Sequence, residues 1–390
     1  MRYGLARGVL VCSILAGVVT NAQTRPRARD LHVPFDGMPG PLNAITDVAG
    51  IEVGHTTLIS GDGALQVGVG PIRTGVTAIL PRGKKDSVPV FAGYFAQNGN
   101  GEMTGTAWIE ESGFAQGPIL LTNTHSVGVV RDATIKWQLR RNGKVSEDQQ
   151  WSLPIVAETW DGFLNDINGF HVKDDDVFQA LDGAHSGAVE EGAVGGGTGM
   201  VCYGFKGGIG TSSRKLDQKA GGYTVGVLVQ CNCGRRAQLL IAGAPVGKEI
   251  PQSVPYARNA PWIGDDVGSI IILVATDAPV LPNQLKRLAR RATMGLARTG
   301  STSGNGSGDL FLAFSTAERI TSTEGVSNIR MLGNDSMNPL FEATVQATEE
   351  AIVNAMVAAD TMTGIDGHTV IRLPHEQLTQ VLKKYNRLSR

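Results

Sequence analysis

Two uninterrupted apolar runs are the feature that most constrains the fold of this chain. One spans residues 223–234 and reads "YTVGVLVQCNCG", and the other begins at Gly268 and reads "GSIIILVATDAP". A strand with one solvated face alternates apolar and polar residues, whereas these runs present apolar side chains to both faces. They therefore predict strands that are buried on both sides.

Two amphipathic segments supply the elements that would cover such strands. Residues 281–300 place leucines and alanines on one helical face and Lys and Arg on the other, with Pro282 near the start. Residues 338–359 form a second helical pattern, opened by Pro339. The segment "PIVAETWDGFLNDIN" begins as a strand and changes to a helix-like period. Buried strands covered by helices predict a layered α/β or α+β fold.

Composition narrows the function classes. The chain has 390 residues, 42% of them apolar, with no low-complexity tract, which is typical of a globular protein. Its formal net charge of -1 offers no electrostatic footprint for nucleic acid or anionic lipid. Glycine is unusually frequent at 51 residues, which indicates many tight turns and close backbone approaches.

The first residues have the pattern of a secretory signal peptide. Arg2 and Arg7 precede the apolar stretch "GVLVCSILAGVV", and a small-residue cleavage site follows at Ala22. The alternative is a membrane anchor, but the apolar run is shorter than the ~20 residues that span a bilayer. We therefore expect residues 1–22 to be removed, no membrane association, and export, most simply to a bacterial periplasm.

The cysteines predict neither a disulfide framework nor a metal site. Removal of the signal peptide takes Cys12 with it and leaves Cys202, Cys231 and Cys233 in a long chain. The "CNC" at 231–233 lacks the partner cluster of a zinc site, and the seven histidines show no ligand spacing. The expectation is three small core residues and no bound metal.

The glycine-rich segment at residues 192–214 has a superficial likeness to a phosphate-binding loop. It lacks the G-K-[ST] ending of a P-loop, and no acidic residue follows at the distance that a dinucleotide site requires. The segment is better interpreted as a tight structural loop that borders a cleft.

A serine stands at the mouth of the second apolar run, where a buried strand has no need of a hydroxyl. Ser269 lacks the G-x-S-x-G context of a histidine-activated serine. An N-terminal serine can use its own α-amino group as the base. Cleavage between Gly268 and Ser269 would create the hydroxyl and the amine together. Further on, Ser307 and Asp309 flank a glycine, so their side chains either share one face of an extended segment or form a turn.

These segments together resemble the β-peptidyl aminopeptidase family, which includes the L-aminopeptidase/D-Ala-esterase/amidase enzymes. The resemblance extends in order from about residue 41 to residue 366 and rests on the segments "AETWDGFLNDINGFHV", "GAVEEGAVGGGTGMVCYGFKGGIGTSSR", "TVGVLVQCNCGRR", "GSIIILVATDAPVLPNQLKRLARRATMGLARTG", "SGDLFLAFST" and "LFEATVQATEEAIVNAM". It implies an α+β fold, a four-layer αββα sandwich of the N-terminal-nucleophile type. It also implies self-cleavage into an α fragment (23–268) and a β fragment (269–390), and assembly of the (αβ) units into a homo-oligomer, commonly a tetramer.

The resemblance assigns a role to each candidate residue. The nucleophile falls on Ser269, with cleavage after Gly268, and the helper serine and carboxylate fall on Ser307 and Asp309. The oxyanion-hole amide falls on Asn232, where a side-chain N–H could donate to developing negative charge.

Two further residues are expected at the substrate. The carboxylate that holds the free amine of the substrate falls on Glu158. Trp160 stands where a tyrosine hydroxyl is expected near the oxyanion, and its indole N–H can donate but cannot transfer a proton. In the family, the carboxylate beside the helper serine often belongs to Glu. The side chain of Asp309 is one methylene shorter, so its reach toward Ser307 is reduced.

The sequence thus predicts an exported, self-processing serine aminopeptidase that needs no metal or organic cofactor. It would release N-terminal residues from short peptides, amides or esters through an acyl-enzyme on Ser269. A β-amino acid, an L-α-amino acid or D-Ala could each be the preferred first residue. Two alternatives remain open: an N-terminal-nucleophile acyltransferase, and a periplasmic binding protein without catalytic activity.

Overall fold

The fold is a mixed α/β arrangement seen in a computed structural model. Apart from Met1, the structure describes residues 25–141, 151–255, 268–321 and 324–388. Except for Met1, the predicted signal peptide at 1–22 lies outside these described residues. Within them, no helix combines the length and the apolar character that crossing a membrane requires.

The strands and helices alternate irregularly along the chain. The described strands are β1 (Glu52–Ser60), β2 (Ile72–Leu80), β3 (Val90–Ala96), β4 (Phe114–Ala115), β5 (Ile119–Asn123), β6 (Ile155–Thr159), β7 (Val201–Cys202), β8 (Phe205–Lys206), β9 (Gly208–Lys215), β10 (Thr224–Asn232), β11 (Ser269–Thr276), β12 (Asp309–Ser315), β13 (Met362–Thr363) and β14 (Thr369–Val370). The described α-helices are α1 (Thr106–Ser112), α2 (Val127–Arg141), α3 (Asp174–Gly183), α4 (Val246–Glu249), α5 (Pro282–Arg298), α6 (Asn338–Val357) and α7 (His375–Lys384).

Two main sheets form the centre of the molecule. The first has the strand order β1-β2-β5-β6, and the second has the order β4-β3-β12-β11-β10-β9. In the second sheet β11 pairs antiparallel with β10 and parallel with β12. Helices α2 and α3 pack on the first sheet, while α5 and α6 pack on the second.

The side chains of β11 explain the second apolar run. Ile270, Ile272 and Val274 belong to the core that the second sheet shares with helices α5, α6 and α7. Ile271 and Leu273 point the other way, into a core that contains residues of both sheets. Successive side chains of a strand face opposite sides, so this strand has no solvated face and can be apolar throughout.

The structure corrects two expectations from the sequence. The segment after β6 is not α-helical: it turns at once and has only a short 3-10 helix at Ile167–Gly169, and its polar side chains bond locally, with Asn165 Nδ2 donating to Asp161 Oδ1 at 3.1 Å. Such side-chain bonds compete with helix formation. The end of the glycine-rich segment is not a loop but strand β9. A Cβ on Gly210 would lie 2.0 Å from the carbonyl oxygen of Ala351, so glycine lets α6 pack directly against this strand.

Candidate active site

The first residue of β11 is Ser269, and its hydroxyl is held by the neighbouring strand. The backbone N–H of Gly308 donates to Ser269 Oγ at 3.1 Å, across a sequence separation of 39 residues. The parallel pairing of Ile270 with Asp309 sets this contact, because it brings the preceding residues, Ser269 and Gly308, side by side. Ser269 is buried, with 7% of its surface exposed. The strand thus presents a hydroxyl at a rigid end.

Asn232 lies directly opposite Ser269 in the antiparallel ladder of β10 and β11. Residues paired in this way direct their side chains to the same face, with Cβ atoms about 4.5–5.5 Å apart. The Asn232 amide is oriented at both ends: its Oδ1 accepts from the N–H of Val201 at 2.7 Å, and its Nδ2 donates to the carbonyl of Trp160 at 2.9 Å. An NH₂ group carries two hydrogens, so one N–H remains for another acceptor.

Ser307 and Asp309 form a buried pair beside this serine. Ser307 Oγ donates to Asp309 Oδ1 at 2.5 Å, and the two side chains are 2% and 0% exposed. The shorter aspartate therefore reaches its serine. Between them, Gly308 packs against the loop that follows β3, and a Cβ there would lie 2.3 Å from the carbonyl oxygen of Asn100. Glycine is required at position 308 because this loop approaches so closely.

Glu158 lies near the end of β6 with both carboxylate oxygens occupied by donors. Oε1 accepts from the backbone N–H of Glu102 at 2.9 Å, and Oε2 accepts a short hydrogen bond from Thr124 Oγ1. Burial raises the pKa of Glu158 above its usual value, and these two hydrogen bonds offset part of that rise. The site thus contains a buried carboxylate that ionises at higher pH than an exposed glutamate.

One loop residue connects this carboxylate to the serine pair. A Cβ placed on Gly101 would lie 3.2 Å from Gly308 Cα and 3.3 Å from Glu158 Oε1. The amine-site candidate and the segment that bonds Ser269 therefore face each other across Gly101. The structure brings Ser269, Asn232, Ser307, Asp309 and Glu158 into one region from four separate strands and a loop.

Trp160 contributes through its main chain. Its carbonyl accepts a hydrogen bond from Asn232 Nδ2 at 2.9 Å. The partly buried ring packs against a small apolar cluster that includes Phe163 and Val201. The expectation of an indole donor near the oxyanion stays a prediction, and the structure adds a backbone role for this residue that the sequence did not indicate.

A second buried carboxyl lies directly after Trp160. Asp161 is 1% exposed, and burial raises its pKa to about 7, although hydrogen bonds from Thr74, Asn165 and Asn123 oppose the rise. The neighbouring ammonium of Lys206 donates to backbone carbonyls, including that of Met200 at 2.7 Å. Burial lowers the pKa of Lys206 to about 7.

The cysteines differ from the sequence-based expectation. Cys202 and Cys231 form a disulfide, with Cα atoms 5.7 Å apart, and the sulfur of Cys233 lies 3.9 Å from that of Cys231. Among the described residues these three sulfurs are a group close enough to hold a metal ion. Two of them are joined in the disulfide and are not thiolate ligands in this state. The pairing spans 29 residues, and no pattern in the sequence indicated it.

Several contacts at the site were not predicted from the sequence. Thr124 directly follows the apolar strand β5, which pairs in parallel with β6. A polar residue at the end of an apolar strand is the sequence pattern that could have indicated Thr124 as a site residue. The Gly308 N–H and the Val201 N–H are backbone groups, so the identity of the residue does not indicate that its N–H is a donor in the site. Gly101 lies in a glycine-rich loop whose position depends on packing against Gly308.

Comparison with known proteins shows which protein family and which enzymes this chain resembles. A protein-family model described as Peptidase family S58 matches residues 43–370. The β-peptidyl aminopeptidase of Sphingosinicella microcystinivorans is 53% identical over 401 residues, covering 100% of this chain and 99% of that protein.

Two solved structures are similar over nearly their whole length. The L-aminopeptidase D-Ala-esterase/amidase of Ochrobactrum anthropi has a TM-score of 0.87 and 47% identity, covering 94% of this chain and 100% of that one. It is described as a prototype for the serine aminopeptidases and a variant of the Ntn hydrolase fold. A β-aminopeptidase of a Burkholderia species has a TM-score of 0.83 and 46% identity, covering 92% of this chain and 99% of that one.

The fold and these similarities define a hydrolase, a serine-type aminopeptidase. The expectation of an enzyme is thereby confirmed, as is the resemblance from which it came. The chain belongs to peptidase family S58.

Proposed function

We propose that the chain is an exported, self-processing serine aminopeptidase in which Ser269 is the nucleophile. The observation that carries the proposal is the position of Ser269, which begins a buried strand, accepts the Gly308 N–H and faces Asn232 across the ladder. A nucleophile must be held still, and a strand end between two paired neighbours does this. The similarity to serine aminopeptidases supports the same assignment.

Self-processing would use the hydroxyl that later serves catalysis. Ser269 Oγ attacks the carbonyl carbon of Gly268, the C–N bond breaks, and an ester links the two fragments. Water hydrolyses this ester, which releases the Gly268 carboxylate and leaves the Ser269 α-amine beside its own hydroxyl. A Cβ on residue 268 would lie 2.3 Å from the carbonyl oxygen of Asn232, so glycine keeps the scissile carbonyl close to the Asn232 backbone. The products would be the α fragment (23–268) and the β fragment (269–390).

Turnover would repeat the attack on a substrate carbonyl. The α-amine accepts the Ser269 proton, and the Ser307 hydroxyl, polarised by Asp309, relays it to the leaving amine. The second N–H of the Asn232 amide donates to the oxyanion. Glu158 binds the free ammonium group of the substrate, which fits a carboxylate that is buried yet already hydrogen-bonded.

The name of the 53% identical relative supports β-peptidyl substrates. We propose short peptides, amides or esters with a free N-terminus, whose first residue is a β-amino acid, an L-α-amino acid or D-Ala. The signal-like pattern at 1–22 supports export to a periplasm. We further propose that (αβ) units assemble into a homo-oligomer, as the resemblance to the family implies. The two sheets with helices against each support the four-layer αββα arrangement.

A denaturing gel with N-terminal sequencing tests the proposal directly. Active wild-type protein should give two bands, one beginning at Ser269, and Ser269→Ala should remain one inactive chain. Ser315→Ala is the matched control, because Ser315 is an equally buried serine at the far end of β12, bonded to the Ala278 carbonyl. This control should process normally. Active wild-type enzyme that persists as a single intact chain would contradict the proposal.

A further inference from the structure

The buried cysteine pair lies against the residue that we propose as oxyanion donor. Cys231 immediately precedes Asn232 in β10, and Cys202 immediately follows Val201 in β7. The N–H of Val201 is the donor that orients Asn232 Oδ1, at 2.7 Å. The disulfide therefore joins the two residues that neighbour the two ends of this hydrogen bond.

The geometry at β10 separates the disulfide from the reaction itself. Successive side chains alternate across a strand, so Cys231 and Asn232 point to opposite faces. Cys231 lies in the core beneath the helices, whereas Asn232 faces Ser269. The sulfurs are excluded from the substrate, and their effect on Asn232 has to pass through the backbone of β10 and β7.

Two backbone N–H groups of the hairpin formed by β7 and β8 donate to residues at the end of β10. Tyr203 N donates to the Cys233 carbonyl at 2.7 Å, and Val201 N bonds Asn232. The turn of the hairpin is Tyr203–Gly204, both residues with positive φ. The hairpin is also buried, and Arg236 donates to the carbonyls of Tyr203 and Gly204 at its turn. The disulfide adds a covalent constraint on the spacing between Val201 and Asn232.

We infer that the Cys202–Cys231 disulfide is a positioning cross-link for Asn232, so that turnover depends on the oxidation state of this pair. The cross-link fixes the Val201 N–H, the Val201 N–H fixes Asn232 Oδ1, and the planar amide then aims its remaining N–H at the oxyanion. Electrostatic stabilisation of this kind depends on the donor being oriented beforehand. The inference rests on the proposed role of Asn232.

Formation of the link requires an external acceptor of electrons. The Cys202 and Cys231 thiols lose two electrons and two protons as the S–S bond forms, and a disulfide such as oxidised glutathione accepts them and becomes two thiols. Such electron acceptors belong to the oxidising compartments in which exported proteins mature. The proposed export and the cross-link are therefore chemically consistent.

A substitution series measures the effect on catalysis. In folded Cys202→Ala we expect kcat for β-alanine p-nitroanilide to fall about tenfold, part of the ~10²–10³ that loss of an oxyanion donor costs. KM should change little, because the amine site lies elsewhere. Cys233→Ala is the matched control: it removes a buried sulfur from the same cluster without removing the link, and its kcat should stay within about twofold.

A double-mutant cycle separates positioning from a general loss of stability. If the cross-link acts through Asn232, then Cys202→Ala should cost nothing further in kcat when Asn232 is already alanine. Equal losses in both backgrounds would overturn the inference. A normal kcat for Cys202→Ala, with a loss for Asn232→Ala, would overturn it and leave the proposed function intact. A normal kcat for Asn232→Ala would overturn the oxyanion assignment and the inference together.

The wild-type protein provides a second test that does not depend on a variant folding. Protein without residues 1–22, made and kept under reducing conditions, should titrate with three thiols after denaturation. Treatment with oxidised glutathione should leave one thiol and raise kcat about tenfold, in line with the loss expected for Cys202→Ala. Unchanged kcat, or active protein that carries zinc on three thiolates instead of the disulfide, would refute the cross-link.

Discussion

Replacement of Glu158 by glutamine tests the amine site with little disturbance of the fold. Glutamine has nearly the same volume, its Oε1 can still accept the Glu102 N–H, and its Nε2 can donate to Thr124 Oγ1 in place of the present bond. The main change is therefore the loss of the negative charge. We expect the variant to process itself and to unfold close to the wild-type temperature.

The magnitude follows from the burial of the carboxylate. Glu158 is 4% exposed, so its pair with a substrate ammonium would be shielded from water. Removal of one partner from a buried charge pair costs about 2–5 kcal/mol. At 1.4 kcal/mol per tenfold change, KM for a free-amine substrate should rise by roughly 30-fold to several thousandfold. KM for the N-acetylated analogue should hardly change.

The acid limb of the pH profile gives an independent measurement. Only the ionised carboxylate attracts an ammonium group, and burial holds the pKa of Glu158 above its ordinary value of 4.5. In the wild type, kcat/KM should therefore decline, as the pH falls, at a higher pH than an exposed glutamate would give. The glutamine variant should lack this limb.

Glu102→Gln is the matched control, because it removes the same charge from a neighbouring, exposed side chain whose backbone N–H bonds Glu158. Its KM should change by less than about twofold, as for a surface substitution. Its acid limb should move slightly lower, since the Glu102 charge contributes to the raised pKa of Glu158. Equal increases in KM for free and acetylated substrates in Glu158→Gln would refute the amine-binding role.

Three further predictions concern the neighbouring side chains. Ser307→Ala should lower kcat by ~10²–10⁴ while the fold survives, and a near-normal kcat in a steady-state assay would reduce Ser307 to a turn residue. Asn232→Ala should lower kcat by ~10²–10³ and slow the appearance of the β fragment on a gel, because both attacks develop the same charge; wild-type processing would show that the oxyanion hole lies elsewhere. Asp161→Asn should remove a pH dependence of the unfolding free energy. In the folded protein Asp161 keeps its proton up to about pH 7, whereas the unfolded chain releases it near pH 3.8. The unfolding free energy of the wild type therefore falls as the pH rises through this window. The loss is on the order of 4 kcal/mol at 1.36 kcal/mol per pKa unit, and parallel denaturant titrations of both proteins from pH 4 to 7 would contradict the raised pKa.

Local pattern was sufficient where the physical determinant is local. The helices expected at 281–300 and 338–359 are α5 (Pro282–Arg298) and α6 (Asn338–Val357). The strands expected in the two apolar runs are β10 and β11. Side-chain periodicity and burial on one or both faces depend on consecutive residues, so they can be predicted from the sequence.

Local pattern failed where a polar side chain competed with the backbone. After β6 the apolar spacing continued as in a helix, but Asp161 and Asn165 bond each other and the chain turns. The glycine-rich segment departs from its expectation for a different reason: strand β9 forms by pairing with β10, and α6 packs against it. In the first case the competing bond is itself local, whereas in the second the structure depends on contacts between residues that are distant in sequence.

By itself, the sequence determined the apolar strands, the amphipathic helices and a serine in an unusual position. The tertiary structure decided which groups meet that serine. Gly308 donates to it across 39 residues, the Glu158 carboxylate is held by a backbone N–H from 56 residues away, and Cys202 bonds Cys231 across 29. These contacts depend on strand register and sheet order, which result from the packing of the whole chain. Residue types can indicate the candidate residues of such a site, but only the packing of the sheets determines the distances between them.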